Sequence, residues 1–143
     1  AQYDMSSPLY PAIGHANAVK AHLTVGENVL FWSRFLNGDS GAEQRTDAAL
    51  EAFVLSDLED FPASYLSAGQ KRRVGLARLL AAPRPIWLLD EPTASLDAAS
   101  SARLARIVNA HTGGGGIVIA ATHLPLGLDH ARELKLERGG APA

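Results

Sequence analysis

Polar, titratable side chains follow two apolar segments of this 143-residue chain. Asp90 and Glu91 come directly after the apolar run 86–89, and His123 comes soon after the apolar run 117–121. Such continuous apolar runs are typical of parallel strands that are buried on both faces. Because ligands of open α/β sheets bind beyond the carboxyl ends of the strands, we expect these three side chains to share one edge of a sheet.

Polar residues at this edge of a sheet are the first candidates for a ligand site. Each residue also has an ordinary structural explanation, because an acidic pair can cap a neighbouring helix and a single histidine at a strand end can be structural.

Two further segments flank the acidic pair. Ser67 and Gln70 have capping-box spacing, and the helix that they open would present its first amides as an anion site. This segment ends 20 residues before Asp90. Asp97 follows the acidic pair and can cap a helix that begins near Ala98. The basic run 71–73, on the first turns of the helix after Ser67, is expected to form a solvated face.

The elements that must position these residues are read from caps, breakers and periodicity. Thr24 and Glu27 predict a helix to about Phe35, which Asn37 and Gly38 end. The sequence also predicts a strand within 10–15, a helix over 43–54, a connector over 57–65, a helix from Ser67 to before Pro83, a helix over 98–110, a glycine turn over 113–116, a half-exposed strand over 132–137 and a frayed tail over 139–143.

Charge and composition exclude several classes of protein. Thirteen basic and 15 acidic residues give a net charge of −2, so the chain offers no basic surface to nucleic acid. There is no cysteine for a disulfide or a thiolate metal site. No apolar run approaches the ~20 residues that a bilayer-spanning helix needs.

The longest motif-bearing stretch resembles the ABC ATPase family. Residues 66–80 read LSAGQKRRVGLARLL and residues 85–97 read PIWLLDEPTASLD. The family's signature is usually LSGGQ, and Ala68 replaces one glycine here. The resemblance implies an α/β fold of the P-loop NTPase type, a parallel sheet flanked by helices, incomplete and with an inserted helical subdomain. It implies an N-terminal segment 1–15, a helical subdomain 16–65 and a core part 66–143 with the signature, Walker B, D-loop and switch motifs.

The resemblance also implies roles for the site residues. Asp90 matches the Walker B aspartate that holds Mg²⁺, Glu91 matches the general base, and His123 matches the switch histidine that contacts the γ-phosphate. Ser67, Ala68, Gly69 and Gln70 match the signature that binds ATP held by the opposite subunit, and Asp97 matches the D-loop aspartate at the dimer interface. ATP and Mg²⁺ are the implied cofactors of the complete domain, and a homodimer is the implied assembly.

His15 stands where the family has the Q-loop glutamine. That residue contacts Mg²⁺ and the attacking water, and a histidine there would make the site sensitive to pH near ~6.5. Together with the segment 23–36, LTVGENVLFWSRFL, His15 makes the chain similar to the haem-exporting branch of cytochrome c maturation. This likeness implies integral membrane partner subunits and a cytoplasmic location, with the protein bound peripherally at the inner face of the cell membrane. The aromatic residues Phe31, Trp32 and Phe35 could contact such a partner or pack in the core.

No segment of the 143 residues matches the P-loop pattern GxxxxGK followed by Ser or Thr. The glycines 113–116 are followed by no such lysine. We therefore expect no appreciable ATP binding or hydrolysis by this chain alone, and association of copies, such as a strand-swapped oligomer, to cover open sheet edges. Two alternatives stay open: a soluble ABC-type ATPase that is not coupled to transport, and a catalytically silent interaction fragment.

Overall fold

The structure, a computed structural model, describes residues 17–136 and the backbone of residues 12–13. In chain order the elements are β1 (Ala12–Ile13), α1 (Val25–Asn37), α2 (Ala42–Ala52), α3 (Ala68–Ala81), β2 (Ile86–Asp90), α4 (Ala98–Gly113) and β3 (Ile117–Ala121), with two 3-10 turns at Ser56–Leu58 and Ala63–Tyr65. Within these described ranges, no helix is both long and apolar enough to cross a membrane.

Local capping sets the limits of α1. The Thr24 hydroxyl accepts a hydrogen bond from the Glu27 amide at 3.1 Å, and the Thr24 amide donates to the Glu27 carboxylate at 2.8 Å. Gly38, at a φ of 75°, ends the helix and donates its N–H to the Arg34 carbonyl at 2.8 Å. The predicted start and stop signals of this helix are therefore confirmed.

The first three helices pack on one another and form a common core. Trp32 is buried in this core together with Leu50, Phe53 and Val74. Its two aromatic neighbours on α1 differ, because Phe31 is 39% and Phe35 74% exposed. Their rings stack on each other with centroids 5.6 Å apart. Core packing thus accounts for Trp32 alone among the three aromatic residues.

The strands form a parallel sheet in the order β1-β2-β3. Strand β2 pairs with β3 along its whole length, from Ile86 opposite Ile117 to Asp90 opposite Ala121. The predicted parallel pairing is confirmed, and it places the carboxyl ends of both strands at the same edge of the sheet. The residues predicted as a strand around β1 lie partly outside the described residues.

The prediction that the strands are buried on both faces is wrong for β3 and only partly met by β2. In β2, Trp87 and Leu89 are buried and Ile86 and Leu88 are half-buried, whereas Ile117 and Ile119 of β3 are 55% and 61% exposed. Successive side chains of a strand point to opposite faces, and in β3 the described elements cover only the face that packs on Leu104 of α4. A continuous apolar run therefore does not report how many faces its surroundings cover.

The prediction of a last strand over 132–137 is also wrong for residues 132–136, which the structure describes. Residues 132–136 have no regular secondary structure, and Leu134 and Leu136 are 83% and 89% exposed. A strand needs a neighbour that takes up its backbone hydrogen bonds, and none of the described strands pairs with this segment. Residue 137 and the predicted tail 139–143 lie outside the described residues.

Candidate functional site

Glu91 and His123 meet at the carboxyl edge of the sheet. Glu91 directly follows β2, and its amide donates to the carbonyl oxygen of Ala121 at 2.8 Å. His123 comes two residues after the end of β3, and its Nδ1 lies 2.8 Å from Glu91 Oε1. The pairing of the two strands thus brings together two side chains that are 32 residues apart in the chain.

The hydrogen bond from His123 lowers the pKa of the Glu91 carboxyl, and a weaker bond from Thr122 acts in the same direction. Partial desolvation opposes this shift. Glu91 is 24% and His123 77% exposed at the side chain, so both are open to a ligand. The result is an ionised carboxylate that can orient water and accept its proton.

Asp90 is the last residue of β2 and is exposed at the same edge. Among residues 12–13 and 17–136, no cluster of three or more acidic, histidine or cysteine side chains could hold a metal by itself. Mg²⁺ needs only one or two carboxylates when waters and phosphates supply its other ligands. A single exposed carboxylate beside Glu91 therefore fits Mg²⁺ bound together with a phosphate ligand.

Ser67 caps the beginning of α3 by the predicted capping box. Its hydroxyl accepts from the Gln70 amide at 3.2 Å, and its own amide donates to the Gln70 side-chain oxygen at 2.8 Å. Ala68 is exposed and Gly69 is half-buried in the first turn. The start of a helix carries a partial positive charge and spare N–H groups, so this end of α3 can receive an anion.

The segment before α4 lies against the beginning of α3. A Cβ on Gly69 would come within 2.8 Å of the Ser95 carbonyl oxygen, so these two backbones touch. Asp97 caps α4 by accepting the Ser100 amide at 2.7 Å, and this bond lowers the pKa of the Asp97 carboxyl. The structure thus places Ser67, Gly69 and Asp97 in one region of the surface. Ser67 and Asp97 cap helices there, and Gly69 makes the close backbone contact.

The sequence analysis was wrong about one member of the basic run 71–73. Arg72 is only 2% exposed, and its Nη2 donates to the carbonyl oxygens of Asp90 at 2.8 Å and of Glu91 at 2.7 Å. The helical period carried the missing signal, because Arg72 precedes the buried Leu76 and Leu79 by four and seven residues and so shares their face. His15, the remaining predicted site residue, lies outside the described residues.

An open groove of about 680 Å³ lies away from this edge. Pro85 and Trp87 line it at the amino end of β2, and His111 lines it from the last turn of α4. Its surface is mostly apolar, which suits a phosphate-bearing ligand poorly. The chemistry-bearing residues therefore lie at the opposite end of β2 from this groove.

Comparisons with known proteins agree with this geometry. The family model described as ABC transporter matches residues 10–94. The cytochrome c biogenesis ATP-binding export protein CcmA of Rhizobium etli is 52% identical over 125 residues, which cover 87% of this chain and 58% of the relative. The protein of the same name from Rhodopseudomonas palustris is 51% identical over 129 residues, or 90% of this chain and 62% of the relative. The chain thus spans about three fifths of the length of these relatives.

Solved structures of ATP-binding cassettes share the fold. A dimeric cassette in a post-hydrolysis state, bound to ADP and Pi, superposes with a TM-score of 0.73 at 26% identity, covering 80% of this chain and 52% of that one. An ATP-binding subunit of an ABC transporter reaches a TM-score of 0.72 at 20% identity, with 82% and 50% covered, and supports the fold alone. With an α/β fold, a matching family model and relatives at about half identity, the chain belongs to the ABC transporter family.

Proposed function

We propose that this chain forms the part of a transport ATPase that carries its general base, its switch histidine and its signature, in a transporter of the cytochrome c maturation or haem-export type. The 52% identity to CcmA supports the type of transporter. The observation that carries the proposal is the contact of 2.8 Å between Glu91 and His123 at the carboxyl edge of the parallel sheet.

In this proposal Glu91 takes the proton of the water that attacks the γ-phosphate of ATP. An ionised carboxylate only accepts hydrogen bonds, so the Nδ1 of His123 must carry the proton that Glu91 Oε1 receives. The Nε2 of the exposed ring is left for the phosphate. Because phosphate oxygens accept hydrogen bonds, a bond from Nε2 to the phosphate requires the doubly protonated ring. Asp90 would hold Mg²⁺ through water, and the metal when bound would supply positive charge to the phosphate oxygens.

We propose that Ser67, Ala68, Gly69 and Gln70 bind the nucleotide held by a second copy, with Asp97 at the interface between the two copies. The exposed first turn of α3 and the dimeric state of one structural neighbour support this arrangement. Integral membrane subunits would complete the transporter, which would place the ATPase at the inner face of the membrane. The exposed pair Phe31 and Phe35 supports a partner contact within the helical part 16–65.

Substitution of Glu91 by glutamine in the transport ATPase of which we propose this chain is a part tests the proposed reaction. Glutamine keeps the shape of the side chain but cannot take a proton, so we expect the ATPase rate to fall by ~10²–10⁴-fold while ATP binding persists. Glu51, an exposed glutamate of α2, provides the matched control E51Q. Turnover of E91Q at the rate of E51Q would contradict the assignment of Glu91 as the base.

We further propose that the 143-residue chain by itself neither binds nor hydrolyses ATP. The chain contains no GxxxxGK segment, and in P-loop proteins the backbone amides and lysine of that segment cradle the phosphates. Isothermal calorimetry with Mg-ATP should detect no binding at micromolar concentrations. Micromolar affinity of the isolated chain would contradict this proposal without bearing on the role of Glu91.

Self-association of the isolated chain is a separate proposal. Ile117 and Ile119 of β3 are 55% and 61% exposed, and burial of this apolar surface between copies would be favourable. Light scattering at rising protein concentration should show a dimer or a larger assembly. A monomer at the highest concentration would contradict it.

A further inference from the structure

One buried arginine contacts the backbone of the proposed catalytic segment. Arg72 projects from α3 and is 2% exposed. Its Nη2 donates to the carbonyl oxygens of Asp90 and Glu91 at 2.8 and 2.7 Å, and its Nε lies 3.4 Å from the Pro92 carbonyl oxygen. Burial lowers the pKa of the guanidinium, and the nearby Asp90 carboxylate opposes that shift. A desolvated cation on these carbonyl groups forms stronger bonds than a neutral donor would.

The backbone that Arg72 holds is in an unfavourable conformation. Glu91 has a φ of 44°, in the left-handed region, which a non-glycine residue adopts only where its surroundings enforce it. On one side of Glu91 its amide donates to the Ala121 carbonyl at 2.8 Å. On the other side its carbonyl oxygen accepts from Arg72. Both peptide groups of Glu91 are therefore fixed, and with them the direction of its side chain toward His123.

The same guanidinium reaches a third part of the chain. Its Nη1 lies 3.1 Å from the side-chain oxygen of Asn17, two residues after His15. Gly75, on the next turn of α3, lets the Asn17 backbone approach closely, because a Cβ there would lie 3.2 Å from the Asn17 carbonyl oxygen. Arg72 thus joins the segment at Asn17, the helix that Ser67 caps and the end of β2.

We propose that Arg72 is a positioning residue, which fixes the backbone at Glu91 from the helix that carries the signature and so directs the Glu91 carboxylate onto His123. The catalytic meaning of this role rests on the proposed function. The structural part stands on the contacts of Arg72 itself. The proposal therefore needs one measurement in the 143-residue chain and one measurement in the ATPase.

The first readout is exchange of the Glu91 amide with solvent, followed by NMR in the 143-residue chain. In R72Q we expect this exchange to accelerate by about tenfold or more, because loss of the Arg72 contacts loosens the bond from the Glu91 amide to the Ala121 carbonyl oxygen.

Arg73→Gln is the matched control. Arg73 lies on the same helix and donates through Nη1 to the carbonyl oxygens of Phe53 at 3.0 Å and Val54 at 2.9 Å. R73Q therefore removes an arginine and its contacts with two carbonyl groups that do not belong to the segment at Glu91, and exchange of the Glu91 amide should not change. R72K keeps the charge without the planar fork and should give an intermediate exchange rate. If circular dichroism shows that R72Q does not fold, the comparison of R72K with R73Q decides.

The second readout is steady-state ATP hydrolysis by the transport ATPase of which we propose this chain is a part. A misplaced base should lower kcat by ~10²-fold in R72Q with little change in KM. If the unmodified ATPase hydrolyses no ATP, the proposed function fails while amide exchange still tests Arg72. Folded R72Q and R72K in which the Glu91 amide exchanges as slowly as in R73Q, or an active R72Q with unchanged kcat, would overturn the positioning role.

Discussion

Replacement of Gly69 by alanine tests the close contact between the start of α3 and the loop before α4. The new Cβ would lie 2.8 Å from the Ser95 carbonyl oxygen, whereas ordinary contact begins at 3.4 Å. The two backbones must therefore separate by about 0.6 Å, the difference between these distances. Ser95 has a φ of 64°, so its backbone is already in a restricted conformation. Overpacking costs about 1–3 kcal/mol, and removal of a helical glycine returns up to about 1 kcal/mol. We therefore expect a loss of roughly 1–3 kcal/mol relative to the same substitution at a helical glycine without close neighbours.

The assay for Gly69→Ala is urea unfolding of the chain, followed by circular dichroism, with Gly113→Ala as the matched control. A Cβ on Gly113, the last residue of α4, would meet no atom within 4 Å. This control should therefore leave the free energy of unfolding unchanged or raise it by up to about 1 kcal/mol. G69A as stable as G113A would refute the reasoning, because it would mean that the contact with Ser95 yields at no cost.

Three further predictions follow from the caps and from the acidic site. Thr24→Ala should lower the free energy of unfolding by about 1 kcal/mol, measured with urea, because it removes the capping box of α1. Asp97→Ala should speed exchange of the Ser100 amide, measured by NMR, whereas Asp97→Asn should preserve its protection since asparagine also caps helices. The pKa of Glu91 lies below its usual 4.5, so stability from the His123 contact should be present above pH 4.5 and lost as the pH falls through the lowered value. Urea unfolding of the unmodified chain and of E91Q across this pH range would measure this loss of stability. A difference in the free energy of unfolding that does not change with pH would contradict the prediction.

Local sequence patterns predicted the helix starts well. Thr24 with Glu27 and Ser67 with Gln70 form both bonds of their capping boxes. A capping box depends on two residues three positions apart, so its geometry is complete within one turn of chain. The same reasoning allowed Asp97 to be expected as the cap of α4, and its bond to Ser100 agrees.

Burial was predicted less well, because it depends on what packs from elsewhere in the chain. The apolar run of β3 predicted burial on both faces, yet Ile117 and Ile119 are mostly exposed. The basic run 71–73 predicted a solvated face, yet Arg72 is buried. The sum of hydrophobicity or charge over a few residues does not reveal which side of an element its neighbours cover.

The sequence of segments 66–80 and 85–97 was sufficient to place the chain in its family, and the two apolar runs predicted that Glu91 and His123 follow neighbouring parallel strands. The pairing of β2 with β3 decided that Glu91 and His123 touch, because a register in which Asp90 opposes Ala121 is a property of two strands. Tertiary packing alone decided that Arg72 turns inward onto the carbonyl groups beside Glu91. Hydrogen bonds between residues 19 positions apart arise only when the helix and the strand are assembled, and no local pattern encodes them.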